Sequence, residues 1–257
     1  MLSLKDIKGQ NNPVRYLSRS LELGRISSSY LFSGPKGVGR ALTARAFLAE
    51  LLFPDKAQHA PDTAHEAETE KISRNEHPDV KWIVPEKNKN IGISEIREIK
   101  DFLYMKPFSS GRNAAVIEDA HMMTLEAANA LLKVLEEPPG SSLVILISDN
   151  KEMIPETVLS RCSEVRFSGL PSSQAAEIIM KESGVDRETA ETLARLSQGS
   201  VGRAIESMKS GYAERRGDVK GMLKDITCRR RDVLMNWYSD EKDTLIGDIE
   251  VCSRLTR

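Results

Sequence analysis

Cysteine, aromatic side chains and net charge are all scarce in this sequence, and each shortage excludes a class of protein. Three cysteines in 257 residues, Cys162, Cys228 and Cys252, are odd in number and far apart. They make no disulfide framework and fit a reducing, cytoplasmic setting. Aromatic residues are 5% of the chain and the net charge is −1. The chain as a whole therefore does not attract polyanions, and nucleic-acid contact would need a local basic face or basic partners. Long apolar runs are missing too. Leu143 to Ile147 is among the longest, against the roughly 20 residues that cross a bilayer, so no membrane is expected. The N-terminus, Met1-Leu2-Ser3-Leu4-Lys5-Asp6, lacks the basic region and apolar core of a secretory signal. What remains, 40% hydrophobic and 29% charged, is an ordinary globular composition sufficient for about two domains.

The most informative stretch is Ser33-Gly34-Pro35-Lys36-Gly37-Val38-Gly39-Arg40-Ala41. It follows the apolar Tyr30-Leu31-Phe32 and precedes an Ala- and Leu-rich run from Leu42 to Leu52. Strand, glycine loop and helix is the context in which backbone N–H groups cradle phosphates. Gly34 and Gly39 match the glycine spacing of the G-x-x-x-x-G-K-[ST] loop, but its last two positions hold Arg40 and Ala41. Arg replaces a compact ammonium by a bulky planar fork, and alanine has no oxygen for Mg²⁺. The loop reads as a phosphate loop stripped of its catalytic groups, with residual nucleotide binding left open.

Apolar periodicity predicts a helix over 11–24, the Tyr30–Phe32 strand, and a helix from Val38 to Leu52. From Pro54 to Asp79 the chain turns polar and holds three of the four histidines, His59, His65 and His77. Without a nearby Cys or an H-x₃-H pair it predicts a flexible surface insert and no zinc. Strands follow at 80–84, 114–117, 143–147 and 164–167. Helices alternate with them: one near Ile93 to Leu103 capped by Ser94, one over 124–136 burying Leu125, Ala128, Leu132 and Leu135, and a short one over 154–159. This alternation predicts an α/β fold with a parallel, helix-covered sheet over 1–168. Helices at 172–183, 187–197 and 201–209, the last capped by Ser200, predict a small helical domain over 169–210. The segment 211–257 is charged and weakly periodic; its Arg229-Arg230-Arg231 run reads as a solvated helix face.

Glu118-Asp119 ends the 114–117 strand, where a phosphate-loop ATPase places Asp then Glu to hold Mg²⁺ and polarise water. Here the order is reversed, which shifts each carboxylate by one methylene; the alternative is that both acids merely cap the next helix. Arg161, between a short helix and a strand, is either a solvated side chain or an arginine finger for a neighbour's γ-phosphate, and spacing alone does not choose. Arg203, near the start of the 201–209 helix, suits a phosphate lying between the domains or a plain surface role equally. Cys162 reads as a small buried hydrophobe rather than a nucleophile.

Four segments together resemble the clamp-loader branch of the AAA+ ATPases, in particular its delta-prime subunits of bacterial DNA polymerase III. They are Tyr30–Pro35 with its loop, Ala127-Ala128-Asn129-Ala130-Leu131-Leu132-Lys133-Val134-Leu135-Glu136-Glu137-Pro138-Pro139, Leu159-Ser160-Arg161-Cys162 and Gly199-Ser200-Val201-Gly202-Arg203. The resemblance implies a P-loop AAA+ sheet, a helical lid and a helical collar, here reduced to a short remnant at 211–257. It implies that Arg161, in the Ser160-Arg161-Cys162 interface motif, is an arginine finger acting in trans. Gly34, Gly37, Gly39, Arg40 and Ala41, with Glu118, Asp119 and Arg203, would form a vestigial nucleotide site. Implied partners are gamma/tau and delta subunits, with the sliding clamp and primed DNA reached through the assembled ring. No cofactor of its own is implied, since ATP would sit on the neighbour. The family's four-cysteine zinc module has no counterpart in 54–79. Two alternatives stay open: an active gamma-type ATPase, and an AAA+-like scaffold outside any clamp loader.

Overall fold

The computed structural model describes residues 3–54, 63–86 and 89–209. The chain divides into two compact units, Met1–Ala204 and Ile205–Arg257; the sheet and its loops belong to the first. The expected collar remnant at 211–257, Cys228, Cys252 and the triple Arg run lie outside the described residues, as does His59.

Five strands, β1 (Ser29–Ser33), β2 (Val80–Ile83), β3 (Ala114–Ile117), β4 (Leu143–Ser148) and β5 (Ser163–Arg166), form one sheet in the order β2-β3-β4-β1-β5. Every pairing is parallel. The central strands β1, β3 and β4 are buried at every position, which is why they read as unbroken apolar runs rather than alternating ones. Two apolar cores flank the sheet, one around Phe32, Phe47 and Leu48, the other around Ile96, Ile99 and Leu131.

Helices α1 (Asn11–Glu22), α2 (Arg40–Leu52), α3 (Thr63–Ser73), α4 (Ile93–Tyr104), α5 (Leu125–Glu136) and α6 (Glu156–Leu159) cover this sheet. Three more, α7 (Ser172–Ser183), α8 (Arg187–Leu196) and α9 (Val201–Lys209), come after it as predicted. Ser200 does cap α9, accepting from the Arg203 N–H at 3.3 Å.

Three local expectations are corrected. The insert carries α3, which buries Ile72 in the first core. His77 is buried: its Nδ1 accepts the Asp79 N–H at 3.0 Å and its Nε2 lies 3.2 Å from Glu68. That set of contacts is structural, and burial pushes the imidazole pKa down. The α4 cap is Gly92 rather than Ser94, whose hydroxyl bonds Glu95 instead. On α5 the buried stripe is Ala127, Ala128, Leu131, Val134 and Leu135, while Leu125 is 64% exposed. The observed positions repeat as i, i+1, i+4, i+7, i+8, the stripe of a helix lying on a sheet.

Candidate functional site

Parallel strands leave all their carboxyl ends on one edge, and ligands of open α/β sheets gather there. β1 delivers the glycine loop to that edge. Gly34 donates its N–H to Ser148 O at 3.2 Å and Phe167 donates to Ser33 O at 2.7 Å, which ties the loop root to β4 and β5. Gly34, Gly37 and Gly39 all have positive φ, and Gly39 caps α2.

The start of α9 reaches this loop directly. Gly202 donates its N–H to Gly37 O at 2.9 Å, and the Ser200 hydroxyl donates to Lys36 O at 2.6 Å. A Cβ on Gly37 would stand 2.8 Å from the Arg203 nitrogen, and one on Gly202 would stand 2.7 Å from Gly37 Cα. Two glycines are required because the backbones touch. Arg203 is thereby placed beside the loop, its side chain exposed and without an ion pair among the described residues.

Arg40, the first residue of α2, is 5% exposed, and its Nη1 has no hydrogen-bond partner among the described residues. Burial pushes its pKa down, opposed by the charges of Asp149, Asp119 and Glu118. A buried guanidinium thus faces the acids that end β3 and β4, at the place where an ATPase would bring its lysine.

Glu118 is committed elsewhere. Its Oε1 accepts the Trp82 indole N–H at 2.8 Å and lies 3.9 Å from Arg45. Arg45 in turn stacks 4.2 Å from the centroid of Trp82, a cation–π contact. Asp119 has φ 46° and precedes the 3-10 turn Ala120–Met122, but its side chain makes no capping bond. The helix-capping alternative for these two acids therefore fails. Asp119, His121 and Asp149 each bring one potential ligand atom within 4.8 Å of the others, a grouping invisible in sequence because Asp149 follows a different strand. The Arg40 charge beside both acids works against a divalent cation there.

Arg161 is not part of this constellation. Its carbonyl accepts the hydroxyl of Ser29, the first residue of β1, at 2.7 Å, so it sits at the amino-terminal edge of the sheet. The glycine loop leaves the opposite end of β1, about 16 Å away at roughly 3.3 Å per residue. Its guanidinium pairs with Glu136 at 2.6 Å and donates to Thr157 O at 2.8 Å. Neighbouring Ser160 donates to Thr157 O at 3.2 Å and accepts from Arg161 Nη1 at 3.3 Å. The Cys162 thiol is pushed up to about 11 by burial, with the nearby Ser29 side chain pulling the other way, which suits a packed thiol and no nucleophile. Beside it a cavity of about 690 Å³ is lined by Leu31, Lys151, Met153, Leu159 and Cys162.

Known proteins bear on this arrangement. The family model described as "DNA polymerase III, delta subunit" matches residues 9–171. The delta' subunit of Bacillus subtilis DNA polymerase III is 30% identical over 222 residues, 86% of this chain and 66% of that protein. The tau subunit of the same organism is 33% identical over 171 residues, 65% of this chain and 29% of that protein. The gamma subunit of Buchnera aphidicola is 29% identical, over 87% of this chain and 62% of its own length. The chain thus spans between 29% and 66% of these relatives. The Thermotoga maritima RuvB Holliday junction branch migration motor superposes with TM-score 0.56 at 15% identity, over 87% of this chain and 67% of its own; that likeness speaks to the fold. No helix among the described residues is long and apolar enough to cross a membrane. The chain belongs to the clamp-loader family of AAA+ proteins typified by the subunits of DNA polymerase III.

Proposed function

We propose that this chain is a non-hydrolysing, delta-prime-type subunit of a cytoplasmic DNA polymerase III clamp loader, offering Arg161 to ATP held by a neighbouring gamma or tau subunit. The observation that carries the reading is the separation of Arg161 from the chain's own glycine loop, on opposite edges of the sheet. An arginine there cannot serve its own loop and is free to face another subunit. The state of that loop supports the same reading. It has neither Lys nor a hydroxyl at its end, its neighbouring Glu118 is engaged by Trp82 and Arg45, and the lid is bonded to its backbone.

In this mechanism the neighbour binds the nucleotide and its metal, and the guanidinium neutralises charge that builds on the γ-phosphate oxygens during transfer to water. Arginine fingers of this type contribute roughly 10³–10⁵ in turnover. The present chain needs no cofactor and no zinc of its own. Gamma/tau and delta subunits would be its direct partners, with the sliding clamp and primed DNA engaged by the complete ring. The likeness to tau and gamma proteins favours a second reading, an active gamma-type ATPase in which Arg40 replaces the loop lysine. Phosphate release by the isolated protein separates them. Absence of turnover is expected; turnover abolished by Arg40→Ala would establish the second reading instead.

A further inference from the structure

We infer that Glu136 is a positioning residue for Arg161: it fixes the guanidinium so that its remaining N–H groups already face outward when a neighbouring subunit's nucleotide arrives. The inference rests on the trans role proposed above and assigns a part to a residue that role does not use.

Arg161 lies just beyond α6, a helix of one turn, and a long side chain there has several rotamers of similar energy. Two elements restrict it. Glu136, the last residue of α5, takes Nη2 at 2.6 Å, and Thr157 O of α6 takes Nη1 at 2.8 Å. One nitrogen on each anchor defines the plane of the guanidinium. The backbone is fixed as well, since the Arg161 carbonyl is held by Ser29 and its N–H donates to Val158 O. The pair is open to an incoming anion, with the Arg161 side chain 36% exposed and the Glu136 side chain 48% exposed.

Helix energetics do not account for Glu136. It occupies the carbonyl end of α5, where the macrodipole disfavours an anion, and Glu137 follows immediately. Lys133 supplies the only cation in that last turn. A carboxylate that is locally unfavourable and aimed at the one arginine proposed to act in trans has its explanation in that arginine.

The test is a double-mutant cycle in the reconstituted complex of this protein with gamma and delta, measuring kcat and KM for ATP. Glu136→Ala should lower kcat about five-fold, the size expected of one well-oriented exposed pair. KM should not change, because the nucleotide-binding groups belong to the neighbour. Glu136→Gln keeps an oxygen at the same reach and should recover part of the loss. In an Arg161→Ala background Glu136→Ala should have no further effect. The thermal midpoint of the free Glu136→Ala protein should be unchanged or higher, whereas a merely structural pair would lower it. If Arg161→Ala lowers kcat but Glu136→Ala leaves it unchanged or raises it, the positioning role is wrong and the trans role survives. Loss of assembly, or a KM that rises as kcat falls, likewise overturns positioning. If Arg161→Ala itself has no effect, the trans role fails and this inference with it.

Discussion

Asp79 offers the sharpest test of how this scaffold is held. The residue is 2% exposed, yet its carboxylate accepts from the backbone N–H groups of Phe108, Ser109 and Ser110 and from the hydroxyls of both serines. These bonds fix the loop between α4 and β3. Burial by itself would raise the pKa, but the donors outweigh it and hold the group at about 2 instead of 3.8. That gap corresponds to about 2 kcal/mol favouring the folded, ionised form. Because the folded pKa is the lower one, this stability is complete above pH 4 and is lost as pH falls towards 2. Asp79→Asn keeps the shape, removes the charge and turns an amide N–H₂ towards groups that are themselves donors. The expected loss at pH 7 is about 2–4 kcal/mol, allowing for that mismatch. In a domain of this size it should lower the thermal midpoint by roughly 5–15 °C. Denaturant unfolding from pH 7 to pH 2 checks the sign: the difference between wild type and variant should shrink below pH 4. A loss under about 0.5 kcal/mol, or a difference that does not depend on pH, would refute the reasoning.

Two other contacts predict measurable outcomes. Gly202→Ala puts a methyl 2.7 Å from Gly37 Cα and 3.1 Å from Gly37 O, backbone atoms that cannot step aside. It should cost about 1–3 kcal/mol and make the start of α9 more susceptible to limited proteolysis; an unchanged melting curve would mean that this segment does not rest on the loop in solution. Cys162, with its thiol raised from 9.0 to about 11, carries about a hundredfold less thiolate near pH 8 than an ordinary thiol. Alkylation followed by peptide mass mapping should show it correspondingly slow, and labelling at the rate of a free thiol would contradict the raised pKa of this half-buried side chain.

Much of the fold is legible in the sequence because parallel strands and their glycine loop leave local marks. β1, β3 and β4 are short apolar runs bounded by turn residues, and their boundaries lie within two residues of those expected. Leu125 misleads because a helix stripe can be drawn through several sets of leucines until the sheet beneath selects Ala127, Leu131 and Val134. α3 escapes the periodicity because its sequence, Thr-Ala-His-Glu-Ala-Glu-Thr-Glu-Lys-Ile-Ser, offers few apolar anchors and its Ile72 finds the core only through the tertiary fold. The candidate site divides in the same way. The departures of Arg40 and Ala41 from the phosphate-loop pattern are written in a nine-residue motif. The capture of Glu118 by Trp82 spans 36 positions and depends on β2 pairing with β3. The Gly37–Gly202 contact and the Arg161–Glu136 pair likewise exist only once the chain has closed on itself.

The central claim is that Arg161 acts on a nucleotide that this chain does not hold. The direct measurement is ATP turnover by the complex reconstituted with gamma and delta subunits, stimulated by sliding clamp and primed DNA, for wild type and Arg161→Ala. An Arg161→Ala protein that assembles normally but lowers turnover by about 10³-fold or more at the shared site is the predicted result. Normal turnover from that variant, or a wild-type protein that never joins the complex, would contradict it.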